Sequence, residues 1–366
     1  MSGLKIRARA AIALLTMLAT AVVPGGAAAG PALLFEASSG KVLYAEDQDH
    51  LWHPASITKV MTAYVVFDAL KAGRISLEQK MIVSEKAHLQ APSKVGLPVG
   101  AEMTVDLGLR ALIVKSANDV AIMLAETVAG SEESFVQLMN DTARRLGMTR
   151  TRFVNPNGLP APEQITTARD LARLGRAVLR DFPDKAHLWA QTEVQIGKNR
   201  LRSHNALLRT FEGADGLKTG FICDSGFNVI ASATRDGRKL MAVVLGDVSG
   251  RERNIRAASL LDHGFQTWDW KQLFNTRTVE SLPMDPESKD IQSVRQSIIS
   301  WDCGNRPKAA ARKKVPATAA AKQKAKAAKA AAKPAPAAAS GTAPAAKSAK
   351  AAPAPAPAPA SAKSKE

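Results

Sequence analysis

Cysteine and histidine are scarce in this 366-residue chain, which has two cysteines and six histidines. The cysteines, Cys223 and Cys303, stand far apart in the sequence, and no histidine lies at ligand spacing beside either of them. A structural zinc site needs about four such ligands, usually in close pairs. We therefore expect no metal site, and no sequence feature calls for another cofactor.

The sequence also lacks an apolar run long enough to cross a membrane, which takes about 20 residues. The apolar stretch AAIALLTMLATAVV follows the basic start MSGLKIRARA and precedes the small residues GGAAA. This pattern predicts a secretory signal peptide over residues 1–29, cleaved after Ala29. An uncleaved N-terminal anchor is the alternative. Without a twin arginine, the general export route is favoured, and we expect a periplasmic protein that is at most peripheral to the inner membrane.

Export bears on the two cysteines. An exported chain meets oxidising conditions, and two is an even number, so we predict a disulfide between Cys223 and Cys303. Two separate buried thiols are the alternative, because the sequence does not show whether the two Cα atoms lie within about 7 Å of each other.

Aromatic and acidic residues are nearly absent from the C-terminal part of the chain. Residues 308–366 contain thirteen basic residues, one acidic residue and no aromatic one, and so hold +12 of the total charge of +17. Residues 30–307 carry only +2. Such an Ala/Lys/Pro-rich composition predicts a disordered tail over 307–366. Export argues against nucleic acid as its partner, so the tail would meet anionic lipid or wall polymers, or act as a solvated spacer.

Between these ends, apolar periodicity predicts strands, then helices, then strands and a last helix. The predicted hairpins are PALLFEASSGKVLYAED and NVIASATRDGRKLMAVVLGD, and the helices include Ile57–Lys71, two helices broken near Lys115–Asn118, and one capped by Thr166 or Thr167. This order predicts a mixed α/β (α+β) fold. Both ends of the folded part would build one antiparallel sheet, flanked by helices and carrying an inserted helical lobe.

Three short motifs indicate chemistry, and they occur in a fixed order along the chain. They are Ser56-Ile57-Thr58-Lys59, Ser116-Ala117-Asn118 and Lys218-Thr219-Gly220. Together they mark penicillin-binding proteins and class A β-lactamases. Each motif is weak alone, since Ser38 and Lys41 also match the first and Ser203-His204-Asn205 the second. Ser38 and Lys41 fall at a predicted turn, however, and Ser203–Asn205 in a predicted strand.

The likeness extends beyond the motifs to FEASSGKVLYAED, HPASITKVMTAYVVF, VKSANDVAIMLAE, DGLKTGF and SGFNVIASA. Over roughly residues 32–270 the chain resembles the serine-type D-alanyl-D-alanine carboxypeptidases, which are low-molecular-mass penicillin-binding proteins. The resemblance implies a β-lactamase/transpeptidase-like catalytic domain over 30–276. A short extension, 277–306, would pack on or near that domain and lead into the tail.

The residue types suit a serine acyl-transfer site. Ser56 is the expected nucleophile, and Lys59, on the same face one turn later, is its base when neutral. Burial and nearby positive charge would favour the neutral lysine. Ser116 would relay a proton to the departing amine, and Asn118 would hold the substrate's peptide amide.

Further binding residues are expected on the third motif. Lys218 and Thr219 would bind the substrate's C-terminal carboxylate. The resemblance implies an oxyanion hole made by the backbone N–H groups of Ser56 and of Phe221, which follows Gly220. It also implies a carboxylate-binding arginine before the last helix, for which Arg253 is favoured over Arg251 and Arg256.

The expected reaction removes the terminal D-alanine from peptidoglycan stem peptides through an acyl-enzyme on Ser56, with β-lactams as acylating inhibitors. A β-lactamase is the first alternative. It usually needs a deacylating glutamate in a Glu-x-x-x-Asn loop, and Glu163 has no asparagine four residues later. A non-catalytic wall-binding scaffold is the second alternative, and the intact motif residues argue against it.

Overall fold

The computed structural model describes residues 30–268, 276–285, 291–298 and 303–304, and the structural statements below concern these residues. The predicted signal peptide over 1–29 and the predicted disordered tail over 307–366 lie outside them.

The main sheet has five antiparallel strands in the order β2-β1-β9-β8-β7, and two short hairpins, β3–β4 and β5–β6, stand apart from it. In chain order the strands are β1 (Ala32–Glu36), β2 (Val42–Glu46), β3 (Lys80–Ile82), β4 (Glu102–Thr104), β5 (Glu193–Ile196), β6 (Asn199–Arg202), β7 (Ala214–Ile222), β8 (Gly226–Arg235) and β9 (Arg238–Asp247). The first two and the last three build the sheet. The predicted antiparallel sheet, drawn from both ends of the folded part, is therefore confirmed.

Helices fill the space between these strands in sequence and cover both faces of the sheet. They are α1 (Thr58–Lys71), α2 (Glu85–His88), α3 (Val105–Val114), α4 (Asn118–Ala129), α5 (Glu132–Arg145), α6 (Ala168–Asp181), α7 (Ala186–Trp189), α8 (Leu207–Thr210) and α9 (Gly250–Gln266). Short 3₁₀ turns occupy Ala55–Ile57, Pro183–Lys185 and Arg295–Ser297. Thr167 caps α6, because its side chain accepts a hydrogen bond from Asp170 N, as predicted.

Alternation along the strands divides the core into two parts. In β1, Leu33 and Phe35 face the large core shared with the helical lobe, whereas Leu34 faces the smaller core under α9. Because successive strand residues point to opposite faces, a strand covered on both sides is apolar at every position. The sheet is thus a buried central layer with α9 on one face and α6 with the helical lobe on the other.

Helix α1 is buried around most of its circumference. Eleven of its 14 residues are buried, including Thr58 and Lys59. The sequence predicts a broad apolar side with one polar break, and the structure places α1 in the middle of the lobe, against α4, α5, α6 and the sheet. A lysine in such a helix is removed from water, which matters for its chemistry.

Two predicted elements differ in the structure. Ser203–Asn205 is a loop, because the β5–β6 ladder ends at the pair Glu193–Arg202, and the following residues turn into α8. The last helix begins at Gly250, earlier than the sequence pattern indicates, so Arg253 lies inside it. The first difference brings His204 to the cavity described below, and the second places Arg253 on a helix rather than before it.

Candidate active site

Ser56 lies in the tight turn that leads into α1, at the end of a cavity. The turn is a 3₁₀ helix, Ala55–Ile57, in which Ala55 has a φ of +50°. Gly158 supports it from the opposite side: a Cβ there would lie 1.9 Å from Ala55 O and 3.0 Å from Ser56 N. Only glycine permits this approach, and the φ of +78° at Gly158 independently favours glycine.

Lys59 is completely enclosed beneath Ser56. Its Nζ lies 3.1 Å from Ser56 Oγ and 2.7 Å from Asn118 Oδ1, and it also donates to the carbonyl oxygen of Asn157. Burial, together with the positive charge of Lys218, holds the pKa of Lys59 well below its ordinary value. A neutral lysine amine at this position can accept the proton of the Ser56 hydroxyl.

The break between α3 and α4 brings the second motif to the same place. Ser116 has a left-handed φ of +60°, which turns its side chain out of the helical path, and Lys218 Nζ donates to Ser116 Oγ at 2.9 Å. Asn118 opens α4, and its Nδ2 donates to Ala91 O at 2.9 Å while its Oδ1 accepts from Lys59. The second motif therefore contacts both lysines, Lys218 through Ser116 and Lys59 through Asn118.

Strand β7 carries the third motif and runs beside the Ser56 turn. A Cβ on Gly220 would lie 2.8 Å from Pro54 O and 3.1 Å from Ser56 N, so the absence of a side chain lets the strand approach the Ser56 turn. Lys218 and Thr219 are buried, and Thr219, Gly220 and Phe221 line the cavity. Phe221 and Ser56 thus border the same space.

Positive charge dominates this cavity. Burial and the neighbouring Arg253 lower the pKa of Lys218 to about 7. Burial also lowers the pKa of Arg253 to about 10, against the opposing effect of Asp247. No acidic residue is among those that line the cavity. A buried arginine in the lining, with a buried lysine beside it and no acidic lining residue, favours an anionic ligand.

The cavity has a volume of about 420 Å³. Its lining consists of Ser56, Pro92, Ser93, Ser116, Asn118, Gly158, Leu159, His204, Thr219, Gly220, Phe221, Ile222, Phe227, Gly250 and Arg253. One wall is the end of the β7–β8 hairpin, where the Phe221 and Phe227 rings stack with centroids 4.2 Å apart. The facing wall is a loop fixed by Asp119, whose carboxylate accepts from Val95 N and Gly96 N.

Sequence reasoning missed several of these residues. Asn157 and Gly158 look like an ordinary turn, yet one supplies a carbonyl to Lys59 and the other a surface for the Ser56 turn. His204 belongs to the segment predicted as a strand, and as a loop residue it lines the cavity. Its pKa is lowered by burial and then by the positive charges of Lys218 and Lys115.

Other candidate residues lie elsewhere. Glu163 is exposed and forms an ion pair with Arg152 at 3.1 Å, and it does not line the cavity. Ser38 and Lys41 stand at the β1–β2 turn. Cys223 and Cys303 form a disulfide, with Cα atoms 5.4 Å apart.

One group of metal-type side chains occurs in the part of the chain that the structure describes. It consists of His50, held between Asp47 and Asp285 at 3.5 and 3.7 Å, and it does not line the cavity. Within the described residues, no helix is both long and apolar enough to span a bilayer.

Comparisons with known proteins agree on one family. A family model described as D-alanyl-D-alanine carboxypeptidase matches residues 18–249. The chain is 39% identical to D-alanyl-D-alanine carboxypeptidase DacC of Escherichia coli over 65% of this chain and 61% of that protein. It is 34% identical to DacA of Haemophilus influenzae over 80% of this chain and 76% of that protein. The chain thus spans less than two thirds of some of its curated relatives.

Solved structures show the same likeness. Penicillin-binding protein 5 of Haemophilus influenzae is similar with a TM-score of 0.64 and 34% identity, over 67% of this chain and 73% of that one. Penicillin-binding protein D2 of Listeria monocytogenes, in its ampicillin-bound form, is similar with a TM-score of 0.60 and 29% identity, over 65% of this chain and 97% of that one.

Proposed function

The chain belongs to the D-alanyl-D-alanine carboxypeptidase family, and from this premise we propose that it removes the terminal D-alanine from peptidoglycan stem peptides through an acyl-enzyme on Ser56. The observation that carries the proposal is the 3.1 Å separation between Lys59 Nζ and Ser56 Oγ, with Lys59 buried and its pKa depressed. Serine is a weak nucleophile until an adjacent base takes its proton, and this arrangement supplies that base.

Acylation begins when Lys59 accepts the Ser56 proton and Oγ attacks the carbonyl carbon between the two D-alanines. The oxyanion that forms would accept hydrogen bonds from the backbone N–H groups of Ser56 and Phe221, two residues that line the cavity. Donors fixed in advance at such a position stabilise the developing charge without reorganisation. The close approach allowed at Gly220 supports this placement, because it holds β7 against the Ser56 turn.

Collapse of the tetrahedral intermediate requires a proton for the departing D-alanine nitrogen. That proton is the one that Lys59 took from Ser56, so its transfer returns Lys59 to the neutral form. Ser116 is suited to relay it, because Ser116 lines the cavity and its hydroxyl accepts a hydrogen bond from Lys218 Nζ at 2.9 Å. Asn118 lies beside it and would bind the substrate's amide. Water then hydrolyses the acyl-enzyme, with Lys59 again acting as the base.

Recognition of the substrate's end rests on charge. A peptide that ends in D-alanine carries a carboxylate, and Lys218, Thr219 and Arg253 would bind it at the cationic end of the cavity. Arg253 is 6% exposed and sits in the first turns of α9, with its Nη2 donating to Asn254 Oδ1 at 2.8 Å. A buried guanidinium in a cavity lined by no acid suits a carboxylate ligand.

The same nucleophile should be acylated by β-lactams, which present a strained amide beside a carboxylate. The similarity to a penicillin-binding protein solved in an ampicillin-bound form supports this part of the proposal. Efficient β-lactam hydrolysis is not favoured, because Glu163 is exposed, paired with Arg152 and absent from the cavity lining. A non-catalytic scaffold would have no need for two buried lysines, which are costly to fold.

Export to the periplasm, where peptidoglycan lies, is also part of the proposal and rests on the pattern of residues 1–29. The domain limits proposed are 30–276 for the catalytic domain and 277–306 for its extension. The basic residues of 308–366 would favour anionic lipid or wall polymers once outside the cytoplasm.

D-alanine release from a stem peptide ending in D-Ala-D-Ala tests the proposal. We expect the full chain to release D-alanine and the Ser56→Ala variant to release none, with both variants equally folded by circular dichroism. Release that persists in Ser56→Ala would remove Ser56 as the nucleophile. A folded wild-type chain that releases nothing but turns over penicillin would instead favour the β-lactamase.

A further inference from the structure

The short connection between β7 and β8 borders the active-site cavity. It consists of residues 223–225, which we call the β7–β8 loop. The residues on either side of it, Phe221 and Ile222 before and Phe227 after, line the cavity, and Phe221 pairs with Phe227 in the sheet. Because the loop is so short, a displacement of the loop shifts this wall of the cavity.

A segment from beyond the last helix holds this loop from the outside. Residues 291–298 and 303–304, which we call the C-terminal strap, contact it at several points. Arg295 donates to both carboxylate oxygens of Asp224 at 3.0 and 2.8 Å, and Ser293 Oγ donates to the same group at 2.8 Å. Val294 N donates to Asp224 O at 3.0 Å, and Cys303 is bonded to Cys223.

The loop is also fastened on its inner side to the segment that precedes Ser56. Trp52 Nε1 donates to Ser225 O at 3.0 Å. Asn228, at the start of β8, connects the loop to the same segment, because its Nδ2 donates to Ser225 Oγ and to His53 O, each at 3.1 Å. The β7–β8 loop therefore lies between the strap and the chain that leads to the nucleophile. Gly226 makes the contact close, since a Cβ there would lie 2.9 Å from Val294 Cγ2.

From these contacts we propose that the C-terminal strap, through Asp224 and Cys223, positions the cavity wall formed by Phe221, Ile222 and Phe227 for acylation of Ser56. Arg295 and Cys303 are positioning residues that touch no substrate. The inference rests on the proposed function, because it concerns how fast the same site is acylated. Oxyanion donors must be held to within a fraction of an ångström, so a strap that fixes the wall bearing Phe221 N–H affects the rate more than the stability.

The ion pair between the strap and the loop is a weak source of stability, which favours a positioning role for Arg295. The Asp224 and Arg295 side chains are 32% and 48% exposed, and exposed ion pairs contribute little to stability. Yet the Arg295 charge and the two side-chain donors lower the pKa of Asp224 to about 2. The pair therefore stays charged, and the strap attached, at any pH at which the enzyme would work.

The test compares four variants of the full chain: Cys223→Ser/Cys303→Ser, Arg295→Gln, Arg295→Lys and Glu280→Gln. Glu280→Gln is the matched control, because it removes an extension contact, the ion pair with Arg176, that does not touch the loop. The readouts are the acylation rate constant with a fluorescent penicillin, the melting temperature, and hydrogen exchange of peptides covering 217–228.

We expect acylation to slow by about tenfold in the serine double variant and less in Arg295→Gln, since small displacements of catalytic groups have effects of this size. Arg295→Lys should restore part of the rate, Glu280→Gln should match wild type, and exchange should rise only around the loop. Wild-type acylation in the double variant, or equal slowing in Glu280→Gln, would overturn the strap's role. If the wild-type chain is not acylated at all, the proposed function is wrong. In that case, unchanged hydrogen exchange at 217–228 in the serine double variant would show that the strap does not position the loop.

Discussion

At the scale of single residues, the two buried lysines have different proposed roles, because their surroundings differ. Lys59 has three oxygen partners and faces Ser56, whereas Lys218 donates to Ser116 and to Thr219 O and faces the cationic end near Arg253. The charge of Lys218 lowers the pKa of Lys59, whereas the charge of Arg253 lowers the pKa of Lys218. A neutral Lys59 beside a charged Lys218 is the arrangement that serves a base and a carboxylate-binding group together.

This arrangement predicts how substrate binding depends on pH. With a pKa of about 7, Lys218 loses its charge as the pH rises through neutrality, and the attraction for the substrate's carboxylate weakens. The KM for a D-Ala-D-Ala peptide should therefore rise above about pH 7 in wild type.

Lys218→Arg is the matched variant, because an arginine keeps its charge throughout this range. Its KM should be nearly flat between pH 6 and 9 on the same peptide, whatever its absolute value. A wild-type KM that does not change with pH would show that Lys218 is not the titrating carboxylate-binding group.

The motif residues could be predicted because type, order and spacing define them, but their companions could not. Asn157 contributes a backbone carbonyl, which any residue carries, so its identity gives no signal for the contact with Lys59. His204 reaches the cavity only because the chain leaves the β5–β6 ladder at Arg202. Such residues join the site through tertiary folding, which local sequence patterns do not encode.

At the scale of elements, glycines let separate segments meet at Ser56. Gly158 and Gly237 both have left-handed φ angles, of +78° and +71°. A Cβ at Gly158 would overlap Ala55 O, however, whereas nothing lies within 4 Å of a Cβ at Gly237. Substitution at Gly237 therefore introduces backbone strain alone, whereas substitution at Gly158 introduces the same strain together with a steric clash.

Gly237→Ala should lower the free energy of unfolding by about 1–2 kcal/mol, the cost of left-handed backbone in a residue with a Cβ. Gly158→Ala should cost clearly more and should also slow penicillin acylation at temperatures where the variant is folded, because the Ser56 turn must move. Denaturant unfolding and acylation rates measure the two effects. Equal stabilities with unchanged acylation in Gly158→Ala would contradict the packing described for this turn.

Elements were predicted well where a local signal existed. The cap at Thr167 and the β8–β9 turn around Asp236-Gly237 follow from residues adjacent in sequence. The early start of α9 had such a signal too, since Ser249 accepts from Glu252 N in a Ser-x-x-Glu pattern. The strand predicted over Ser203–Asn205 was wrong because strand pairing depends on a partner, which the sequence pattern alone does not show.

At the scale of the whole molecule, the extension beyond α9 is hydrogen-bonded to a buried ion pair of the body. Arg169 and Asp49 are each 1% exposed, and Arg169 also donates to the carbonyl oxygens of Val279, Leu282 and Pro283. The sequence predicts an extension near the domain but gives no sign of this pair, because its members lie far apart along the chain.

Asp49→Asn should therefore destabilise the protein by about 3–5 kcal/mol, because it leaves the Arg169 charge buried without its partner. Lys80 and Glu102 form an ion pair on the surface, and Glu102→Gln should change stability far less than Asp49→Asn. Melting temperatures of the two variants test this contrast. Similar small losses in both would show that the extension is held mainly by other contacts.

Peptide mapping of the chain after reaction with benzylpenicillin tests most directly whether Ser56 is the nucleophile. A single covalent adduct is expected, on the peptide that contains Ser56. The adduct should be absent in Ser56→Ala and should form about 10²–10⁴-fold more slowly in Lys59→Arg, whose guanidinium stays protonated and cannot serve as the base. An adduct on another residue, or undiminished acylation in Lys59→Arg, would contradict the assignment of Ser56 and Lys59 as nucleophile and base.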